Sequence, residues 1–172
     1  MDYKKAASYW MEKEEEADQM DRAVLLAQID KFICAHNTCV VATGYCDFIR
    51  CTPMEYNYKD GKFWLLSEGG LKFRGLECNK NVCLAIHDGY SGFNQLSGMQ
   101  ISGIAELTEP WSGEYNDFLA FKKIPTENLK KMSTILHLIK VTPTRIDFLC
   151  SEFKKLGFDP RQHLCLSSND AK

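Results

Sequence analysis

The chain is predicted to be mainly β: a small antiparallel barrel with helices before it and a helical insertion inside it. Three observations predict this. Hydrophobic periodicity is helical up to about residue 36 and then changes to the short apolar runs and alternation of strands. About six strand-like segments follow, joined mostly by hairpin turns, and closing such strands into a barrel removes exposed edges. At 172 residues the chain has the length of one domain that can bury a core unaided.

The elements follow in order. Asp2 to Glu16 reads as a helix whose acidic end, Glu12 to Glu16, forms a solvated face. Asp21 can cap a second helix, in which Leu25, Ile29, Phe32 and Ile33 fall on one side, and Asn37 ends it. Cys39 to Thr43 is a short apolar strand. Phe48 to Tyr58 is a longer one, and Pro53 assigns its middle to an edge or a bulge. Lys59-Asp-Gly61 turns into a strand from Lys62 to Leu66. A short helix precedes the break at Asn79-Lys-Asn81, and Val82 to His87 is the next strand. Asp88 to Gly98 is a loop carrying Tyr90 and Phe93. Met99 to Leu107 is a strand interrupted by Gly103, which marks a bulge or a close approach. Pro110 and Ser112 open a helix with Trp111, Tyr115, Phe118 and Leu119 on one face, and Thr126 to Met132 is a brief second one. Two strands end the barrel, Ile135 to Val141 and Arg145 to Cys150, with Thr142-Pro143 as the turn between them. The expected organisation is one domain over 1–166, with helices over 2–36, the barrel over about 38–150, and a polar tail over 167–172.

The composition is 45% hydrophobic and 12% aromatic, which argues against disorder. A net charge of −2 gives no sign of a nucleic-acid or membrane-surface binder. No apolar stretch is long enough to span a bilayer, and no apolar signal region follows Met1, so a cytoplasmic location is expected. In that compartment the eight cysteines are expected to be free thiols, most of them small core residues. No C-x-x-C occurs, the four histidines are scattered, and no metal site is expected.

The most informative stretch is Lys62-Phe-Trp-Leu-Leu-Ser-Glu-Gly-Gly-Leu-Lys-Phe-Arg-Gly-Leu76. An apolar strand stops at Ser67, turns through Gly69-Gly70, and opens a helix with Lys72 and Arg74 in its first turn. Cations are disfavoured there, because the start of a helix already carries partial positive charge. An anion in the turn would account for them, and the glycines would let the backbone approach it. The alternative is a solvated Lys and Arg on a surface helix.

Four pieces of sequence, in order, resemble the pyridoxamine 5′-phosphate oxidase-like family of FMN-binding split barrels. They are Arg50-Cys-Thr-Pro-Met-Glu-Tyr56 with the hairpin after it, Leu65-Leu-Ser-Glu-Gly-Gly-Leu-Lys72, Cys78-Asn-Lys-Asn-Val-Cys-Leu-Ala85, and Gln100-Ile-Ser-Gly-Ile-Ala-Glu106. The resemblance covers about Ile29 to Leu149. It implies a six-stranded antiparallel split barrel of Greek-key type, and a homodimer with FMN at the subunit interface. It also implies roles for single residues. Lys72 and Arg50 would hold the FMN phosphate, and Ser67, Gly70 and Leu71 would be cofactor-binding too, Ser67 as the hydroxyl at the strand end and the turn through its backbone N–H groups. Around Cys51 and Thr52 the strand would lie along the isoalloxazine ring.

The chain also departs from the family. Glu55 stands where the true oxidase has a basic side chain, and only a shorter version of the C-terminal segment is present, Val141-Thr-Pro-Thr-Arg-Ile-Asp-Phe-Leu149. No second phosphate-binding set is visible, so oxidation of pyridoxamine phosphate is not expected. The resemblance therefore implies an FMN-dependent oxidoreductase of unassigned substrate, working with a small molecule or a nicotinamide reductant. No residue is assigned a catalytic role. The alternatives are a non-catalytic flavin-binding stress or carrier protein, a split barrel binding haem or a deazaflavin, and a thiol or zinc protein built on the cysteines.

Overall fold

The computed structural model describes residues 2–166, and the expected polar tail lies outside the described residues. In chain order the elements are α1 (Tyr3–Glu16), α2 (Arg22–Ala35), β1 (Thr38–Tyr45), β2 (Phe48–Glu55), β3 (Asn57–Lys59), β4 (Lys62–Ser67), α3 (Lys72–Cys78), β5 (Asn81–His87), β6 (Ser97–Thr108), α4 (Gly113–Phe121), α5 (Thr126–Lys130), β7 (His137–Cys150) and β8 (Arg161–Cys165). All strand pairs are antiparallel, in the order β2-β1-β5-β6-β7-β4-β3, with β8 added to β7. The path ends on β3, which follows β2 in the chain through Tyr56, so the curled sheet returns on itself as a split barrel. Tyr56 marks the split. Its hydroxyl donates to Ile33 O at 2.6 Å and its N–H to Asn37 O at 2.8 Å, tying the break to the end of α2.

Helix α2 forms as its periodicity predicts. Asp21 accepts from Ala23 N–H as the N-cap, and Leu25, Ile29, Phe32 and Ile33 are buried. They join the barrel interior, where Phe32 meets Phe148 at 4.9 Å between ring centroids. Helix α1 is capped by Asp2 and is exposed over most of its length, Glu12 and Glu16 included. The segment after it is held on β8, where Met20 N–H donates to Gln162 Oε1 at 2.7 Å and Gln162 Nε2 donates to Asp18 O.

The structure differs from the sequence expectations at four places. The Phe48–Tyr58 run is two strands, β2 and β3, because Tyr56 turns inward to bond α2. Thr142-Pro143 is no turn: β7 runs unbroken through it. Pro143 is accommodated because the ladder with β6 shifts register between Ser102 and Gly103, so the missing N–H falls at a bulge. A Cβ on Gly103 would lie 2.7 Å from Thr142 O, so the bulge requires a glycine there. Strand β8, beyond the expected barrel end at 150, carries too short an apolar pattern to stand out, yet it covers the second half of β7. Finally, most cysteines do not fill the core. Only Cys39 is buried, its thiol pushed up to about 12 by that burial, whereas Cys34, Cys46, Cys51, Cys78 and Cys165 are exposed. Strand alternation puts Cys51 and Cys165 there, the outer side of α2 puts Cys34 there, and Cys46 and Cys78 lie in a turn and at a helix end. All eight are free thiols. Among the described residues no group of three or more potential ligands is placed to hold a metal, and no helix is long and apolar enough to cross a membrane.

The insertion forms a second core outside the barrel. Ser112 caps α4, which buries Tyr115, Phe118 and Leu119 against Trp64 and Leu138 on the outer face of β4 and β7. Trp64 and Phe118 stack at 5.7 Å. Lys140 joins the layers, reaching Glu106 at 3.2 Å and Glu114 at 3.0 Å. Burial would lower its pKa, but the two carboxylates outweigh burial and raise it. Among the described residues, nothing comparable covers the outer face of β2, β1, β5 and β6.

Helix α3 lies on β1 and β2. A Cβ on Gly75 would be 3.0 Å from Gly44 N and 3.1 Å from Thr43 Cβ, so the helix rests on the strand because position 75 has no side chain. Gly75→Ala is expected to destabilise the fold by about 1–3 kcal/mol through overpacking, measured by urea denaturation.

Candidate functional site: the turn between β4 and α3

The turn is built around Gly69. Ser67 Oγ donates to Gly69 O at 3.0 Å and accepts from Gly69 N–H at 3.1 Å. Lys72 Nζ also donates to Gly69 O. Gly69 and Gly70 have φ of 138° and 105°, a region L side chains rarely adopt, so the path from strand to helix depends on both glycines. Among the described residues the N–H groups of Gly70 and Leu71 have no protein acceptor.

Lys72 is only 6% exposed. Its ammonium lies 5.2 Å from the centroid of the Phe73 ring and has no carboxylate partner among the described residues. Burial lowers its pKa. A Cβ on Gly70 would stand 3.6 Å from Lys72 Nζ, so the glycine keeps this side of the ammonium open.

Arg50 reaches the same region from β2. It lies directly opposite Thr43, and Thr43 touches Gly75 of α3, so Arg50 projects on the face that α3 covers. Arg50 is exposed, and its guanidinium has no partner among the described residues. Arg74 lies nearby, with its guanidinium 5.0 Å from the Phe48 ring, two residues before Arg50 on the same face. Arg50 and Arg74 thus lie where α3 meets β2, and Lys72 sits at the start of the same helix; none of the three has a carboxylate partner among the described residues. Thr43 Oγ1, under Gly75 and opposite Arg50, is buried without a hydrogen-bond partner among the described residues.

The structure therefore brings Ser67, Gly70 and Lys72 into one turn and sets Arg50 beside its helix. It separates the others. Thr52 is half-buried on the inner face with Arg50, whereas Cys51 points to the outer face opposite Ala42. Leu71 is 55% exposed and serves the turn only through its backbone. Strand β2 ends the pairing path, so among the described residues its outer backbone edge is open, and Pro53 is tolerated there. Glu55 pairs with Lys122 of the insertion at 2.8 Å. Tyr90 and Phe93 stand 75% and 85% exposed on their loop. Their loop begins at the opposite end of β5 from α3, and seven strand residues separate the two by roughly 20 Å.

Sequence reasoning did not anticipate the bare outer face. A cavity of about 450 Å³ there is lined by Ala42, Gly44, Ile49, Cys83, Ser102 and Thr144. A larger one, about 700 Å³, lies further along the sheet by Gln100, Arg145, Asp147 and Arg161. Both have the size of small-molecule clefts. Arg145 there is bound by Asp147, with Nε to Oδ1 at 2.8 Å.

No family model matches the chain, and no curated protein matches its sequence. Solved structures do match. A proposed pyridoxamine 5′-phosphate oxidase of Listeria innocua is 21% identical with a TM-score of 0.57, covering 73% of this chain and 98% of that one. A FAD-binding protein of Mesorhizobium loti is 14% identical with a TM-score of 0.56, covering 70% and 89%. The haem storage protein HutZ of Vibrio cholerae is 15% identical with a TM-score of 0.57, covering 68% and 88%.

Lys72→Met should stabilise the chain without ligand, because a buried charge is removed. The folded pKa of Lys72 lies below its ordinary 10.5, so the unfolded chain binds more protons and the charge penalty fades as pH rises toward 10.5. The stability gap between the variant and the parent chain should therefore narrow from pH 7 to pH 10 in denaturation curves.

Taken with the strand order and the direct passage of the chain from β2 into β3 at the other end of the sheet, these matches show that the chain has the fold of the pyridoxamine 5′-phosphate oxidase-like split barrels.

Proposed function

We propose that the chain binds FMN, with its phosphate at the β4–α3 turn, and acts as an oxidoreductase on a substrate other than pyridoxamine phosphate. The observation that carries this reading is the cluster of cations without carboxylate partners, Lys72 and Arg50 above all. A nearly buried ammonium with no carboxylate is costly unless an anion joins it. A phosphate fits the donors present. Lys72 offers a compact charge, Arg50 a planar fork, and Gly70 and Leu71 two free N–H groups. The flavin-binding description of one structural neighbour supports the cofactor class.

When bound, FMN would supply the redox chemistry. The chain's own residues would bind and orient it. Lys72 and Arg50 would fix the phosphate. The open backbone edge of β2, near Cys51 and Thr52, would offer donors and acceptors to the polar edge of the ring. The bare outer face of β2, β1, β5 and β6 is suited to a second copy of the chain, which would cover the ring and exclude water. A homodimer with FMN at its interface is the corresponding assembly.

The purified protein is expected to be yellow, with flavin absorption bands. A Soret band in their place would favour haem, and a colourless chain that takes up no added FMN would overturn the reading. Lys72→Ala and Arg50→Ala should each weaken FMN binding by about 1.5–3 kcal/mol, the range for hydrogen bonds to charged groups. Their effects should be non-additive if both hold one phosphate. Lys31→Ala, on the exposed side of α2, should bind as the parent chain does in the same fluorescence titration. Rapid reduction by NADH or NADPH, with turnover on an added acceptor, would distinguish an enzyme from a flavin carrier.

A further inference from the structure

We propose that His137 is a further phosphate-binding residue of this site, donating a hydrogen bond to the flavin phosphate and thereby setting a preference for FMN over unphosphorylated flavin. The proposal rests on the FMN reading above and adds a residue that the sequence comparison did not bring out.

His137 is the first residue of β7 and the direct partner of Ser67 across the β4–β7 ladder. Residues paired in this way project to the same face with Cβ atoms about 4.5–5.5 Å apart. The imidazole therefore starts beside the hydroxyl that shapes the turn. Phe73 of α3 fixes its position, with ring centroids 5.0 Å apart and planes at 56°. The same Phe73 ring lies 5.2 Å from Lys72 Nζ, so Lys72 and His137 both pack against one ring beside the turn that Ser67 shapes.

The hydrogen-bond inventory supports the assignment. His36 bonds Phe32 O and Asp88 Oδ1, and His87 bonds Asp88 O. His137 is half-buried, yet neither of its ring nitrogens has a hydrogen-bond partner among the described residues. An imidazole can donate to phosphate as the neutral tautomer or as the cation. The charged residues of the turn and of α3, which packs against it through Phe73, are Glu68, Lys72, Arg74 and Glu77. A site built from donors discriminates strongly against a ligand that lacks the group they bind, because those donors are then left unpaired.

The test is fluorescence titration of the parent chain, His137→Phe and His137→Gln with FMN and with riboflavin, the same ring system without phosphate. The parent chain should prefer FMN. His137→Phe should weaken FMN binding by roughly 10- to 150-fold, the span of one hydrogen bond to a charged group, and leave riboflavin binding unchanged. His137→Gln keeps an N–H donor and should recover part of the loss. An unaltered FMN-to-riboflavin ratio in both variants would overturn the proposal while leaving the Lys72–Arg50 site intact. Equal weakening of both ligands would also overturn it, by showing a packing role. A parent chain with no preference for FMN would instead remove the phosphate reading on which the proposal stands.

Discussion

The bare backbone of Gly75 against β1 sets the geometry of this molecule. Helix α3 is too short to be stable alone, so its position comes from what it touches. With no side chain at 75 it settles on Gly44 and Thr43, and two results follow. The helix lies close enough to β2 for Arg50 and Arg74 to share its surroundings. The chain entering the helix is forced through Gly69 and Gly70 at positive φ, which turns Lys72 inward. A charged group is buried because the backbone route leaves it little other place to go.

The rest of the architecture divides the sheet into a covered half and an open half. Helix α4 stacks Phe118 on Trp64 and seals β4 and β7. Across β2, β1, β5 and β6 the outward residues are small or mixed, among them Ala42, Cys83 and Ser102, and Ile49 is 78% exposed. This difference gives the two faces different physical roles. One is a finished core, and the other is an open face, where the proposed cofactor ring and second subunit would lie.

Much of this is legible in the sequence where local chemistry decides the outcome. Asp21 and the Leu25–Ile33 stripe specify α2, and Gly103 announces the bulge. Lys72 and Arg74 after two glycines single out the turn. Legibility fails where distant contacts decide. Pro143 reads as a turn until Gly103 on the neighbouring strand provides a bulge opposite it. Tyr56 breaks a strand only because α2 offers Ile33 O. The cysteines read as core because their neighbours are apolar, but alternation points Cys51 and Cys165 outward. His137 carries no local signal at all, since its place beside Ser67 is a property of the ladder.

The segment from 109 to 136 leaves the barrel at the end of β6 and re-enters it at His137, beside the turn. Its helices pack on the outside and contribute nothing to the barrel's own ladder. Changes in its length would be absorbed at the periphery, yet they would be felt at the residue where the chain re-enters. Evolution could thus remodel the doorway of the site by editing one peripheral stretch, with the hydrogen-bonded frame untouched.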